Sequence, residues 1–157
     1  MCNNTLLGQR LNLSSSSDIF DNLIKKNEWE TLIRLFSLNI LDINHRDCKG
    51  RNILYFAILN KKYEYIKILF DLRVNSRVNF SLNAINFAVC LDDIKSLEIL
   101  LKCGLSVDTL DEIGTSPLIY AILYNKKKST EFLIKSGADL ELEDFMGNCA
   151  KFLLHSK

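Results

Sequence analysis

The chain is poor in the residues that bend and brace small folds. One proline and six glycines in 157 residues are too few for a many-turned β-sandwich and fit helices joined by short loops. An excess of one charge is also lacking. Lysine plus arginine number 20 against 19 aspartates and glutamates, a net charge of +1, so no global field draws the chain to nucleic acid or to a membrane surface. No apolar run approaches the roughly 20 residues of a membrane-spanning helix. The opening MCNNTLLGQRLNLSSSS lacks a charged segment followed by a continuous apolar one, so no secretory leader is expected. Histidine occurs only at His45 and His155, and the five cysteines, Cys2, Cys48, Cys90, Cys103 and Cys149, form no C-x-x-C pair. Reduced thiols in a cytoplasmic setting are therefore predicted, with neither a disulfide framework nor a zinc site.

What the chain does contain is an internal repeat. DCKGRNILYFAILNKKYEYIKILFDLRV from Asp47, VNFSLNAINFAVCLDDIKSLEILLKCGL from Val78 and DEIGTSPLIYAILYNKKKSTEFLIKSGA from Asp111 align. Ala121 follows Ala88 by 33 residues, as Gly137 follows Gly104, while Ala88 follows Ala57 by 31. DIFDNLIKKNEWETLIRLFSLNILDIN from Asp18 carries the apolar pattern without the turn, and DFMGNCAKFLLHSK carries the turn and one helix. Each unit reads as two helices, about 117–125 and 129–135 in the clearest copy. In the second helix, Phe132–Leu133, Ile99–Leu100 and Ile68–Leu69 are predicted to share a buried stripe. Ala57, Ala88 and Ala121 are small enough for first helices to pack closely. Gly104 and Gly137 suit the left-handed residue that ends a helix. Pro117 suits a first turn, where its missing N–H costs nothing. Such a unit cannot bury its own apolar face, so the units must stack.

D-E-I-G-T-S-P-L-I-Y-A with F-L-I-K-S-G-A-D resembles the ankyrin repeat, with its D-x-x-G-x-T-P-L-H-x-A opening and L-L-x-x-G-A-D close. The resemblance covers residues 18–157 and implies an all-α solenoid of helix–turn–helix units with short β-turn tips. It divides the chain into an N-terminal tail (1–17), a capping unit (18–46), units at 47–77, 78–110 and 111–143, and a partial capping unit (144–157). Ser14 to Ser17 and Asp18 are candidate N-caps for the first helix. Leu6, Leu7, Leu11 and Leu13 either belong to a loose tail or fold back on the first unit. The family's Thr is replaced by Asn52, Asn83 and Ser116, and its His by Tyr55, Asn86 and Ile119. The hydrogen-bond network between turns is thus expected to be partly given up, leaving moderate stability.

No catalytic constellation emerges. His45 and Cys48 read as loop and turn residues, Asp92–Asp93 and Glu141, Glu143 and Asp144 as solvated carboxylates, and no phosphate-cradling motif occurs. No enzymatic activity, cofactor, metal or small-molecule substrate is expected. Trp29 reads as a cap over the end of the stack rather than a partner's anchor. Lys25–Lys26, Lys61–Lys62 and Lys126–Lys127–Lys128 suggest a basic column. That column suits steering of an acidic protein better than nucleic acid, which needs interleaved aromatics and a wider basic face.

The resemblance also implies a groove lined by turn tips and first helices. Apolar bulk recurs there where polar residues are usual. The residues predicted to meet a partner protein are Lys49, Arg51, Asn60, Phe80, Leu82, Leu91, Ile113, Thr115, Tyr124, Phe145 and Met146, with Leu59, Cys90 and Leu123 beside them. The expected function is a protein-binding module, monomeric when free, that inhibits, neutralises or scaffolds its partner. An immunity protein, or an effector delivered to a host cytosol, is a variant of that class. The alternatives are a nucleic-acid binder using the lysines and, last, an enzyme on a repeat scaffold.

Overall fold

The computed structural model describes the backbone of residues 13–155 and the side chains from residue 16 onward. Among the described residues there are nine helices and no strand: α1 (Leu13–Lys25), α2 (Trp29–Ser37), α3 (Ile53–Leu59), α4 (Tyr63–Asp71), α5 (Ala84–Cys90), α6 (Ile94–Lys102), α7 (Pro117–Leu123), α8 (Lys127–Lys135) and α9 (Ala150–His155). Each odd-numbered helix through α7 packs on the helix that follows it. In addition, α3 touches α5, α5 touches α7 and α7 touches α9, while α4 touches α6 and α6 touches α8. First helices thus form one layer and second helices another, the all-α stack that the repeat predicts.

Side-chain size sets the spacing of the layers. Ala57, Ala88 and Ala121 are fully buried at matching points of α3, α5 and α7. In the second layer Leu69, Leu100 and Leu133 are fully buried. Their expected companions are not: Ile99 and Phe132 are half-buried and Ile68 is exposed. Consecutive residues of an α-helix point about 100° apart, so only one of each pair can face the interface squarely.

The caps revise the expected loss of hydrogen bonds. Asn52, Asn83 and Ser116 accept from the backbone N–H of Tyr55, Asn86 and Ile119, capping α3, α5 and α7. The two asparagines also have donors. Asn52 Nδ2 donates to the carbonyls of Asn75 (2.9 Å) and Arg77 (3.1 Å), and Asn83 Nδ2 donates to that of Thr109 (3.3 Å). Asn86 Nδ2 donates to the Thr115 carbonyl at 3.4 Å. Amides thus rebuild a tie between turns that a threonine and a histidine make in the family pattern.

Three further expectations are corrected or completed. Helix α1 runs from Leu13 to Lys25, so Ser14 to Ser17 and Asp18 lie within it rather than at the residue before it. Leu6, Leu7 and Leu11 and the side chain of Leu13 lie outside the described residues. Trp29 is buried, donates from Nε1 to Asn27 Oδ1 at 2.9 Å and stacks on Tyr65 with ring centres 5.6 Å apart, so it packs the first unit onto the second. Cys48, Cys90, Cys103 and Cys149 are free thiols, and Cys2 lies outside the described residues.

Candidate functional site

The turn tips are held by their own first residues. Asp47 Oδ1 accepts from the N–H of Lys49 and Arg51, Asp111 Oδ1 from Ile113 and Thr115, and Asp144 Oδ1 from Met146 and Asn148, at 2.8–3.1 Å. Asn79 Oδ1 does the same for Ser81 and Leu82. Gly50, Gly114 and Gly147 close three of these turns at φ +74°, +74° and +78°, in the left-handed region that glycine enters without penalty. From Asn79 to the cap Asn83 there is one residue fewer than from Asp111 to the cap Ser116, and that shorter tip contains no left-handed residue.

With the carboxylate or amide turned inward, the apex residues face out. Phe80 is 67% exposed, Ile113 62%, Phe145 77% and Met146 85%. Two of these rings are braced. The Phe80 ring lies over Gly50 and the Phe145 ring over Gly114, each on the neighbouring tip, where a Cβ would collide with it. Of the other residues predicted for the site, Lys49, Asn60, Leu91 and Tyr124 are exposed. Tyr124 stacks on Tyr120, with centres 5.7 Å apart, and the Tyr120 hydroxyl donates to Asp111 Oδ2 at 2.7 Å. Leu59 and Leu123 are also exposed, and Cys90 is half-buried.

Three predicted contacts do not sit freely on this face. Thr115 is buried, and Leu82 is half-buried against the core. Arg51 is half-buried and engaged: Nε donates to Asp47 Oδ2 at 2.6 Å, and the guanidinium lies over the rings of Tyr55 and Phe56. The glycine platforms beneath Phe80 and Phe145 escaped sequence reasoning. Their signal is a tip glycine followed 30 or 31 residues later by phenylalanine.

Electrostatics around the tips follow from these contacts. Burial pushes the Asp47 carboxyl up, but the Arg51 guanidinium and the N–H groups of Arg51 and Lys49 outweigh it and hold the group below the usual range. The side-chain amide and N–H of Asn148, with the Met146 N–H, likewise lower Asp144. Burial first, then the Asp111 carboxylate, raises the Tyr120 hydroxyl. Burial also raises the thiols of Cys90 and Cys103.

The lysine column is broken. Asn27, Lys61, Asp92 and Asn125, all at positive φ, mark one register. On it Lys25–Lys26 fall one step early, and Asp92–Asp93 interrupt the third unit. Those two carboxylates are engaged rather than merely solvated. Asp92 Oδ1 accepts from the N–H (2.9 Å) and hydroxyl (2.7 Å) of Ser129, and Asp93 accepts from the Tyr63 hydroxyl and from Ser96. Among the described residues the ion pairs are Arg51–Asp47, Arg77–Glu112 and Lys151–Glu141, so none claims Lys126, Lys127 or Lys128. Glu30 and Glu64 stand in the first turns of α2 and α4, and Asp93 caps α6, whereas α8 has no acid in its first turn.

Elsewhere, an open depression of about 630 Å³ lies between α4 and α6, lined in part by Tyr63, Lys67, Phe70, Asp71 and Cys103, away from the tips. No group of three His, Cys, Asp or Glu side chains among the described residues is placed to hold a metal. His45 packs edge-on against Phe20, with centres 5.1 Å apart.

Residues 70–144 match the family model for ankyrin repeats in three copies. The potassium channel AKT2/3 of Arabidopsis thaliana is 28% identical across 76% of this chain. The chain spans 16% of that channel's length.

Proposed function

Because this chain carries ankyrin repeats, which constitute a protein–protein interaction module, we propose that it binds a partner protein through its apolar tips and the exposed ends of its first helices. It acts by occupying that partner's surface, so as to inhibit, neutralise or tether it. The carrying observation is that Ile113, Phe145 and Met146 on adjoining tips, and Tyr124 at the far end of α7, are each more than half exposed. Apolar side chains gathered in this way mark interaction surfaces, and a few such anchors supply most of an interface's energy. The bracing of Phe145 by Gly114 and of Tyr124 by Tyr120 supports the reading, since ordered anchors lose little freedom on binding. The similar segment of the channel is a small part of a far longer protein, in keeping with a module that works by attachment. Nucleic-acid binding has less support, because Asp92–Asp93 break the lysine column and the net charge is only +1.

The test is a hydrogen-exchange footprint of the complex with a protein captured from the native cell. Protection concentrated on residues 111–115, 120–125 and 144–148 supports the reading. Protection confined to the second-layer helices α4, α6 and α8 contradicts it.

A further inference from the structure

The lysines left without a carboxylate point to the partner's chemistry. We infer, on the premise that the tips and first-helix ends form the binding face, that the occupant is an extended acidic segment carrying apolar side chains. It lies across the units that contain α7 and α9. Its apolar side chains rest on Ile113, Tyr124, Phe145 and Met146, and its carboxylates meet Lys127 and Lys128.

Charge complementarity and distance select this occupant. Lys126 is half-buried, Lys127 and Lys128 are exposed, and none has an ion-pair partner among the described residues. Four neighbouring acids are committed elsewhere, and Glu131, one turn along α8, is exposed and forms no ion pair with the lysines among the described residues. Asp111 and Asp144 turn into their own tips, Asp92 holds Ser129, and Glu112 pairs with Arg77. Helix α7 separates the apolar tip from the lysines, and its seven residues span about 10 Å at 1.5 Å per residue. An extended segment rises about 3.3 Å per residue, so side chains on one of its faces, two to four residues apart, reach both. The third unit offers no equivalent site: where α7 is followed by lysines, α5 is followed by Asp92 and Asp93. In the second unit Lys61 and Lys62 are followed by Glu64 in the first turn of α4, whereas α8 has no acid there, so an acidic segment is directed to the C-terminal half of the array.

The test is a selection of random peptides of about 16 residues, spanning up to about 50 Å when extended, displayed on phage against the full chain. Three variants are run in parallel: Phe145→Ser, Tyr124→Ser and the double variant Lys127→Glu/Lys128→Glu. The double variant should fold, since glutamate favours a helix N-terminus and already stands there in α2 and α4; circular dichroism checks this. Enrichment of acidic peptides with apolar residues is expected, bound at least tenfold more weakly by each variant, with a salt dependence that the double variant abolishes. Neutral or basic peptides that still require Tyr124 and Phe145 would overturn the acidic occupant while leaving the binding face standing. If no peptide depends on Phe145 or Tyr124, both readings fall. Tighter binding of a fluorescent oligouridylate through Lys127 and Lys128 than of any selected peptide would also overturn the inference, in favour of nucleic acid.

Discussion

The ring of Phe145 rests on the α-carbon of Gly114: a Cβ built there would meet ring atom Cδ1 at 2.5 Å. Two conditions, a left-handed backbone and an occupied face, both select glycine at that position. Gly147 shares only the first, with φ +78° and nothing within 4 Å of a built Cβ. Both Gly→Ala changes should cost about 1–2 kcal/mol through the backbone, and Gly114→Ala should cost measurably more because it displaces the ring. Urea midpoints compare the two. Equal shifts would mean that the ring contact contributes nothing to the fold.

Acid should loosen the tips. The carboxyls of Asp47 and Asp144 are held below the ordinary aspartate range in the folded chain. A group with a depressed native pKa stabilises the fold above its unfolded pKa, and that stabilisation is lost as pH falls through the native value. The urea midpoint is therefore expected to hold at pH 5 and above and to drop below about pH 4. Asp47→Asn should lower the midpoint at neutral pH and flatten its acid dependence. An unchanged slope in the variant would remove Asp47 from this account.

Close packing of first helices sets a different limit. Ala121 is fully buried, so Ala121→Leu should overpack α7 against its neighbours and cost about 1–3 kcal/mol. Lys127→Leu, at an exposed position, should stay within about 0.5 kcal/mol. Similar midpoints for the two variants would contradict the assignment of helix faces.

The thiols should differ in reactivity. Cys48 is exposed, whereas burial raises the thiols of Cys90 and Cys103, and the thiolate is the reacting species. Under native conditions a thiol-specific chromogenic disulfide should label Cys48 first and these two late. Peptide mapping should find no disulfide among Cys48, Cys90, Cys103 and Cys149.

The fold was legible because it depends on periodic residues. The spacing of Ala57, Ala88 and Ala121 reports close helix packing directly, and Leu69, Leu100 and Leu133 report the second layer. The start of α1 was not legible, because serine suits both a cap and a helix interior, and Ser14 to Ser17 fell on the second side. Exposed apolar apices were readable from turn register at Phe80, Ile113, Phe145 and Met146. The same register misplaced Thr115, whose backbone N–H is drawn in by Asp111 and whose side chain is buried. Polar reaches between units were invisible. Asp92 holds Ser129 across 37 residues, and nothing in the local sequence of either indicates the other.

The most direct measurement of the central claim is the affinity of the captured partner for three single variants. Tyr124→Ala and Phe145→Ala should each weaken binding by about 2 kcal/mol or more, roughly thirtyfold. Glu131→Ala, on the exposed face of α8, should leave affinity unchanged. Full affinity in the two aromatic variants together with a loss in Glu131→Ala would place the partner on the second-layer helices and contradict the account.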